Sequence, residues 1–168
     1  MTLRLEHMDQ ELDKVFYKAE NHFFQGEIPE AAELLRSLLS DFPESGKVNW
    51  LMALIYHRHY KDLDKADSHY RSAIRFSPEN SVAYLDYADL LSTQERSSEL
   101  IALLNKAMEL PGTGKDRIQE LFGLLKEKQQ KFDEAIAHYR DGIMNCFDTE
   151  RIVELEGAIK RCQIKKKY

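Results

Sequence analysis

The 168-residue sequence has little of what staples or interrupts a chain: two cysteines, four prolines, seven glycines and one tryptophan. Cys146 and Cys162 form no CxxC pair and have no ligand-like neighbours, so neither a disulfide framework nor a zinc site is indicated. Both fall on the last two expected helices, which leaves a disulfide open beside the plainer expectation of two reduced, partly buried thiols. No apolar run approaches the roughly 20 residues that cross a bilayer. The opening stretch MTLRLEHMDQELDK is charged from its fourth residue and does not read as a signal peptide. Period-two alternation is absent, which argues against a sheet. The expectation is a soluble, cytoplasmic, all-α protein, long enough for one compact domain or a short repeat array.

Positive charge is outnumbered by negative until the end. The net charge is −5, but the last nine residues, KRCQIKKKY, carry five positive charges and no acid, so residues 1–159 sum to −10. An acidic body argues against nucleic acid as the main partner, because phosphate contacts need a basic face. The basic end reads as a solvated last turn that also suits the negative end of a helix.

What is abundant is a recurring pattern. Ala31, Ala66, Leu100 and Ala135 each stand four residues before Leu35, Tyr70, Leu104 and Tyr139, and seven before Leu38, Ala73, Ala107 and Gly142. Twelve or thirteen residues ahead of each triplet stands a small residue, Ala19, Ala53, Ala88 and Gly123. Every step within a series is 34 or 35 residues, the signature of a repeat of two antiparallel helices. Prolines and glycines sit where that repeat turns. Gly26 closes one helix and Pro29 opens the next, while Pro43, Pro78 and Pro111 follow second helices. These signals place first helices near 10–25, 46–60, 80–93 and 115–129, and second helices near 29–41, 63–76, 97–110 and 132–145. A ninth helix, about 149–166, carries Ile152, Leu155, Ile159 and Cys162 on one stripe. The spacing from Ala53 to Ala66 is 13 against 12 elsewhere. Either the HRHYKD turn holds an extra residue, or the helix register slips and moves Trp50.

The pattern resembles the tetratricopeptide repeat. Residues 60–78, YKDLDKADSHYRSAIRFSP, match the second half of that motif nearly throughout, and residues 131–139, KFDEAIAHY, match it again. The first and third repeats are weaker, with Leu100 in place of the usual alanine. The resemblance implies a right-handed superhelical array with repeats at about 12–45, 46–80, 81–114 and 116–149. A capping helix at about 149–166 would put Glu154, Lys160, Lys165 and Lys166 on its polar side. The small residues would let paired helices approach, and Tyr70 and Tyr139 would fill the seams between repeats.

In this family the first helices line a concave groove. The inward stripe then comprises Asp13, Phe16, Glu20 and Phe23, followed by Lys47, Trp50, Leu54 and His57. Val82, Leu85, Asp89 and Ser92 continue it, then Arg117, Glu120, Leu124 and Glu127, with Asp86 beside them. The groove residues expected to hold a partner are Phe16, Glu20, Phe23, Trp50, Leu54, Leu85, Asp86, Asp89 and Leu124. Aromatic anchors beside a few acids suit an apolar segment with basic residues. Some family members grip a chaperone's C-terminal carboxylate with inward basic residues. The matching positions here, Phe16, Glu20, Leu51, Val82 and Asp86, hold none.

No chemistry is indicated. PGTGK at 111–115 lacks the first glycine of a phosphate loop and has Asp116 where a Ser or Thr would hold magnesium. His57 and His59 are two apart, on different sides of a helix, and cannot both grip one ion. No cofactor, metal or small-molecule substrate is expected. The expected function is that of a protein-interaction adaptor. Alternatives are a repeat-built chaperone for a secreted or assembly partner, and a structural subunit of a larger complex.

Overall fold

The computed structural model describes the backbone of residues 2–168 and the side chains of residues 10–168. The side chains of the charged opening residues 1–9 lie outside it. The described residues form α1 (Thr2–Phe24), α2 (Ile28–Asp41), α3 (Gly46–Ile55), α4 (Leu63–Phe76), α5 (Ser81–Thr93), α6 (Ser97–Glu109), α7 (Lys115–Lys128), α8 (Phe132–Met144) and α9 (Thr149–Lys165). A π-helical turn, Tyr56–Tyr60, continues α3. The fold is all-α, built of helix-turn-helix repeats. The chain divides into two compact halves, Met1–Ala83 and Tyr84–Tyr168.

The periodic residues are the core. All four triplets are buried, as are Ala19, Ala53, Ala88 and Gly123. In the N-terminal half, Phe16 and Ala19 of α1 join Ala31, Leu35 and Leu38 of α2 and Leu51, Met52 and Ile55 of α3 in one cluster. Each large side chain there contributes roughly 1.5–3 kcal/mol on leaving water. In the C-terminal half, Ala135, Ile136 and Tyr139 of α8 pack with Leu155, Ala158 and Cys162 of α9. The reason for a small residue on the first helix is explicit at Gly123. A Cβ there would lie 2.5 Å from the Tyr139 ring, so the ring rests on bare backbone. Tyr139 therefore fills the interior of its own repeat as well as the join to α9.

Local chemistry sets the helix ends. Asp62 caps α4 by accepting from the Lys65 amide, and Asp148 caps α9 by accepting from the Glu150 and Arg151 amides. Pro29 sits in the first turn of α2, where its missing N–H costs no bond. Each turn from first to second helix contains one left-handed residue: Gly26 (φ 81°), Lys61 (56°), Glu95 (58°) and Gln130 (60°). Three of the four repeats thus place a side chain where glycine is favoured.

The extra residue between Ala53 and Ala66 lies in the π turn, whose wider loop takes in one more residue than an α turn. It follows α3, so Trp50 and Ala53 keep the register of the other first helices. The insertion belongs to the turn, and no slip occurs.

Candidate partner-binding faces

In the N-terminal half, Lys47 of α3 is ion-paired with Asp13 of α1, and its Nζ lies 5.0 Å from the centre of the Phe16 ring. The first helices α1 and α3 thus meet along the expected stripe. Trp50 stands three residues beyond Lys47, and Glu20 seven beyond Asp13, on the same sides of their helices. Glu20, Phe23 and Trp50 are half-buried. Phe23 meets His59 of the π turn edge-to-face at 5.6 Å. Phe16 and Leu54, expected in the groove, are instead core residues at 5% and 3% exposure. Phe16 precedes Ala19 by three and Leu54 follows Ala53 directly, which brings both within the arc that packs on neighbouring helices.

In the C-terminal half, Leu85, Asp86, Asp89 and Leu124 are half-buried. Here the face of the first helices carries a ladder of alternating charge. Asp89 of α5 accepts from Arg117 of α7 at 2.6 Å, and Arg117 also donates to Glu120 at 2.5 Å. Glu120 accepts from Arg151 of α9 at 2.6 Å, and Arg151 reaches Glu154 at 2.7 Å. Burial opposes the Arg117 charge, but Asp89 and Glu120 outweigh it and strengthen its hold on the proton. Burial likewise opposes the Glu120 charge, and Arg151 and Arg117 prevail, lowering its pKa. Asp89 therefore answers a cation of the chain itself. Arg117, Glu120, Leu124, Arg151, Glu154 and Arg161 border a cleft of about 760 Å³ along α7 and α9.

Glu127, a member of the expected inward stripe, is an electrostatic centre whose partners the sequence did not show. It sits near the end of α7, buried, and accepts from the Tyr139 hydroxyl at 2.9 Å, from Arg161 at two 2.8 Å contacts, and from Lys165 at 2.9 Å. The Arg161 bonds hold its carboxyl down at about 2, against the cost of burial and with help from Lys165 and Tyr139. Burial and the neighbouring Glu127 push the Tyr139 hydroxyl upward, and the same causes push the Cys162 thiol up to about 11. The signal was present in the 34-residue step from Glu127 to Arg161, but it couples unlike residues rather than repeating one. The basic end is exposed, as expected, and its lysines also have partners: Lys165 is bound to Glu127, and Lys166 pairs with Asp133 at 2.6 Å.

Two histidines occupy matching places, each just before a buried tyrosine. His69 stacks on Tyr56 at 5.6 Å and bonds Asn49 at 2.9 Å, while His138 stacks on Phe122 at 5.3 Å and bonds Gln119 at 2.8 Å. Burial lowers the pKa of both. His57 instead meets the Tyr70 hydroxyl at 3.2 Å. Among the described residues no three His, Cys, Asp or Glu gather in an arrangement that could hold a metal. Cys146 and Cys162 are free thiols, the second buried on α9. In the PGTGK segment, Gly112 takes φ 73° and the buried Thr113 hydroxyl donates to the Leu110 carbonyl at 2.9 Å, as in a tight turn. No helix of the described residues is long and apolar enough to cross a membrane.

The model of the tetratricopeptide repeat matches residues 15–45. No curated protein matches the sequence. Among solved structures, PilF of Pseudomonas aeruginosa is similar with a TM-score of 0.81 and 19% identity, over 95% of this chain and 70% of that one. TTC0263, a tetratricopeptide-repeat protein of Thermus thermophilus, is similar with a TM-score of 0.71 and 19% identity, over 92% and 84%. Yeast Tom70 is similar with a TM-score of 0.78 and 20% identity, over 93% of this chain and 34% of that one. A tetratricopeptide repeat is thus matched in sequence at residues 15–45, and the chain shares the fold of solved tetratricopeptide-repeat structures along more than nine-tenths of its length.

Proposed function

We propose that the protein is an interaction adaptor that holds a segment of a partner protein by shape and burial, without chemistry. The observation that carries this reading is the contrast between its first-helix faces. In the N-terminal half, Phe23, Trp50 and the acid Glu20 stand half-buried along the first helices α1 and α3. Half-exposed aromatic residues are the material of binding hot spots. In the C-terminal half the charges are satisfied within the chain, which leaves Leu85 and Leu124 as the apolar contacts there. The fitting partner is an apolar segment with basic residues able to answer Glu20. Fold-level likeness to PilF and Tom70 supports a protein partner without naming one.

The test begins with the proteins that co-purify with the native chain, identified by mass spectrometry. A peptide from such a partner should shift or quench the emission of Trp50, the one tryptophan. Trp50→Ala should weaken binding by about 1–3 kcal/mol while lowering the melting temperature, since Trp50 also packs on the core, and Glu20→Lys should weaken binding further for a basic peptide with the melting temperature held. Wild-type affinity in a Trp50→Ala, Leu85→Ala double variant would overturn the reading.

A further inference from the structure

The series of small residues does not stop at Gly123. Ala19, Ala53, Ala88 and Gly123 continue, 34 residues on, to Gly157 in the middle of α9. The first four are buried, and at Gly123 the covering group is Tyr139 of the second helix. Gly157 is exposed, and no atom outside its own helix lies within 4 Å of a Cβ built there. Its flanks on the same side of α9 are Val153 and Ile164, at 61% and 50% exposure, with Glu156 and Lys160 also exposed. By register α9 is a first helix, and the side that would receive a second helix is open.

We propose that this face of α9 is a docking seat for an amphipathic helix of a partner protein, bound as α8 is bound to α7. The fourth repeat specifies the chemistry of the occupant, because residues of the seat stand 34 after residues of α7. Gly157 matches Gly123, so the occupant presents a tyrosine or similar ring to the notch. Lys160 matches Lys126, which pairs with Glu134 at 2.5 Å, five residues before Tyr139. The occupant therefore carries an acid five residues before its ring. Glu156 matches Phe122, which stacks on His138, so a cationic residue next to the ring finds a carboxylate here. An acid, then a basic residue, then an aromatic ring in that order distinguishes this seat from the first-helix faces above. The seat borders the cleft along α7 and α9, which Gly157 also lines.

The probe is a fluorescein-labelled peptide of residues 131–145, the second helix of the fourth repeat, titrated into the full chain by fluorescence anisotropy. Saturable binding is expected. Gly157→Leu, which fills the notch and favours the helix itself, should weaken it about tenfold or more. Lys160→Glu should weaken it similarly, and a Glu134→Lys peptide should recover the lost affinity on that variant alone. Absence of binding to the wild-type chain would overturn the proposal, as would binding indifferent to both substitutions. Light scattering gives a further check. A dimer that excludes the peptide and dissociates on Gly157→Leu would assign the face to a second copy and overturn the partner-helix occupant.

Discussion

Replacing Glu127 with glutamine tests the electrostatic centre of the C-terminal half. Glutamine keeps the side chain's length and can still accept from Tyr139, but it removes the anion that answers Arg161 and Lys165. At about 1.36 kcal/mol per pH unit, a carboxyl held at about 2 rather than its ordinary 4.5 contributes about 3 kcal/mol at neutral pH. Arg161 and Lys165 are half in water, which brings the expected loss nearer 2 kcal/mol. The folded-state value is depressed, so the contribution is complete above pH 4.5 and fades as the pH falls toward 2. Wild type should therefore lose stability across that window more steeply than the variant, and the two should converge in acid. Because Trp50 lies in the other half, the assay is hydrogen exchange of α7, α8 and α9 amides in urea at several pH values. A variant within about 0.5 kcal/mol of wild type at pH 7, or one with the same acid slope, would refute the assignment.

Two further outcomes concern the repeats themselves. Tyr70 is fully buried, so Tyr70→Ala should cost about 3–5 kcal/mol in the N-terminal half, followed by Trp50 emission in urea, and a loss below about 1 would contradict the packing. Gln130→Gly and Glu95→Gly relieve left-handed backbone and should each stabilise by about 0.5–1 kcal/mol, net of the added freedom of the unfolded chain, whereas Gly26→Ala should destabilise by calorimetry.

Apart from the start of α1, expected near residue 10 and found at Thr2, the helix boundaries were legible almost to the residue, since proline, glycine and polar turns mark the ends of the repeats. Even the one irregularity, a spacing of 13 in place of 12, was visible before its π-helical form. Facing was harder to read. A first helix in such an array touches neighbours on several sides, and α3 buries five consecutive residues, Leu51 to Ile55. With so wide a buried arc, a stripe drawn one position from Ala53 takes in Leu54, which belongs to the core. The role of Glu127 was hidden for another reason. Its place on the inward stripe was legible, but only the fold brings Tyr139, Arg161 and Lys165 around it. The same holds for Asp89, whose partner Arg117 comes from the next repeat.

The π turn at Tyr56–Tyr60 bears on how a repeat protein can vary in length. One residue added within an α-helix rotates everything beyond it by about 100°, enough to turn a buried face to water. Here the added residue comes after the packed part of α3 and before the Asp62 cap of α4, so its rotation is absorbed in one loosened coil. Ala66, Tyr70 and Ala73 enter α4 in the same phase as their counterparts elsewhere. The second repeat thus contains an expansion joint. What stays constant from repeat to repeat is the pairing of two faces, and the number of residues between them is free to change at this one place.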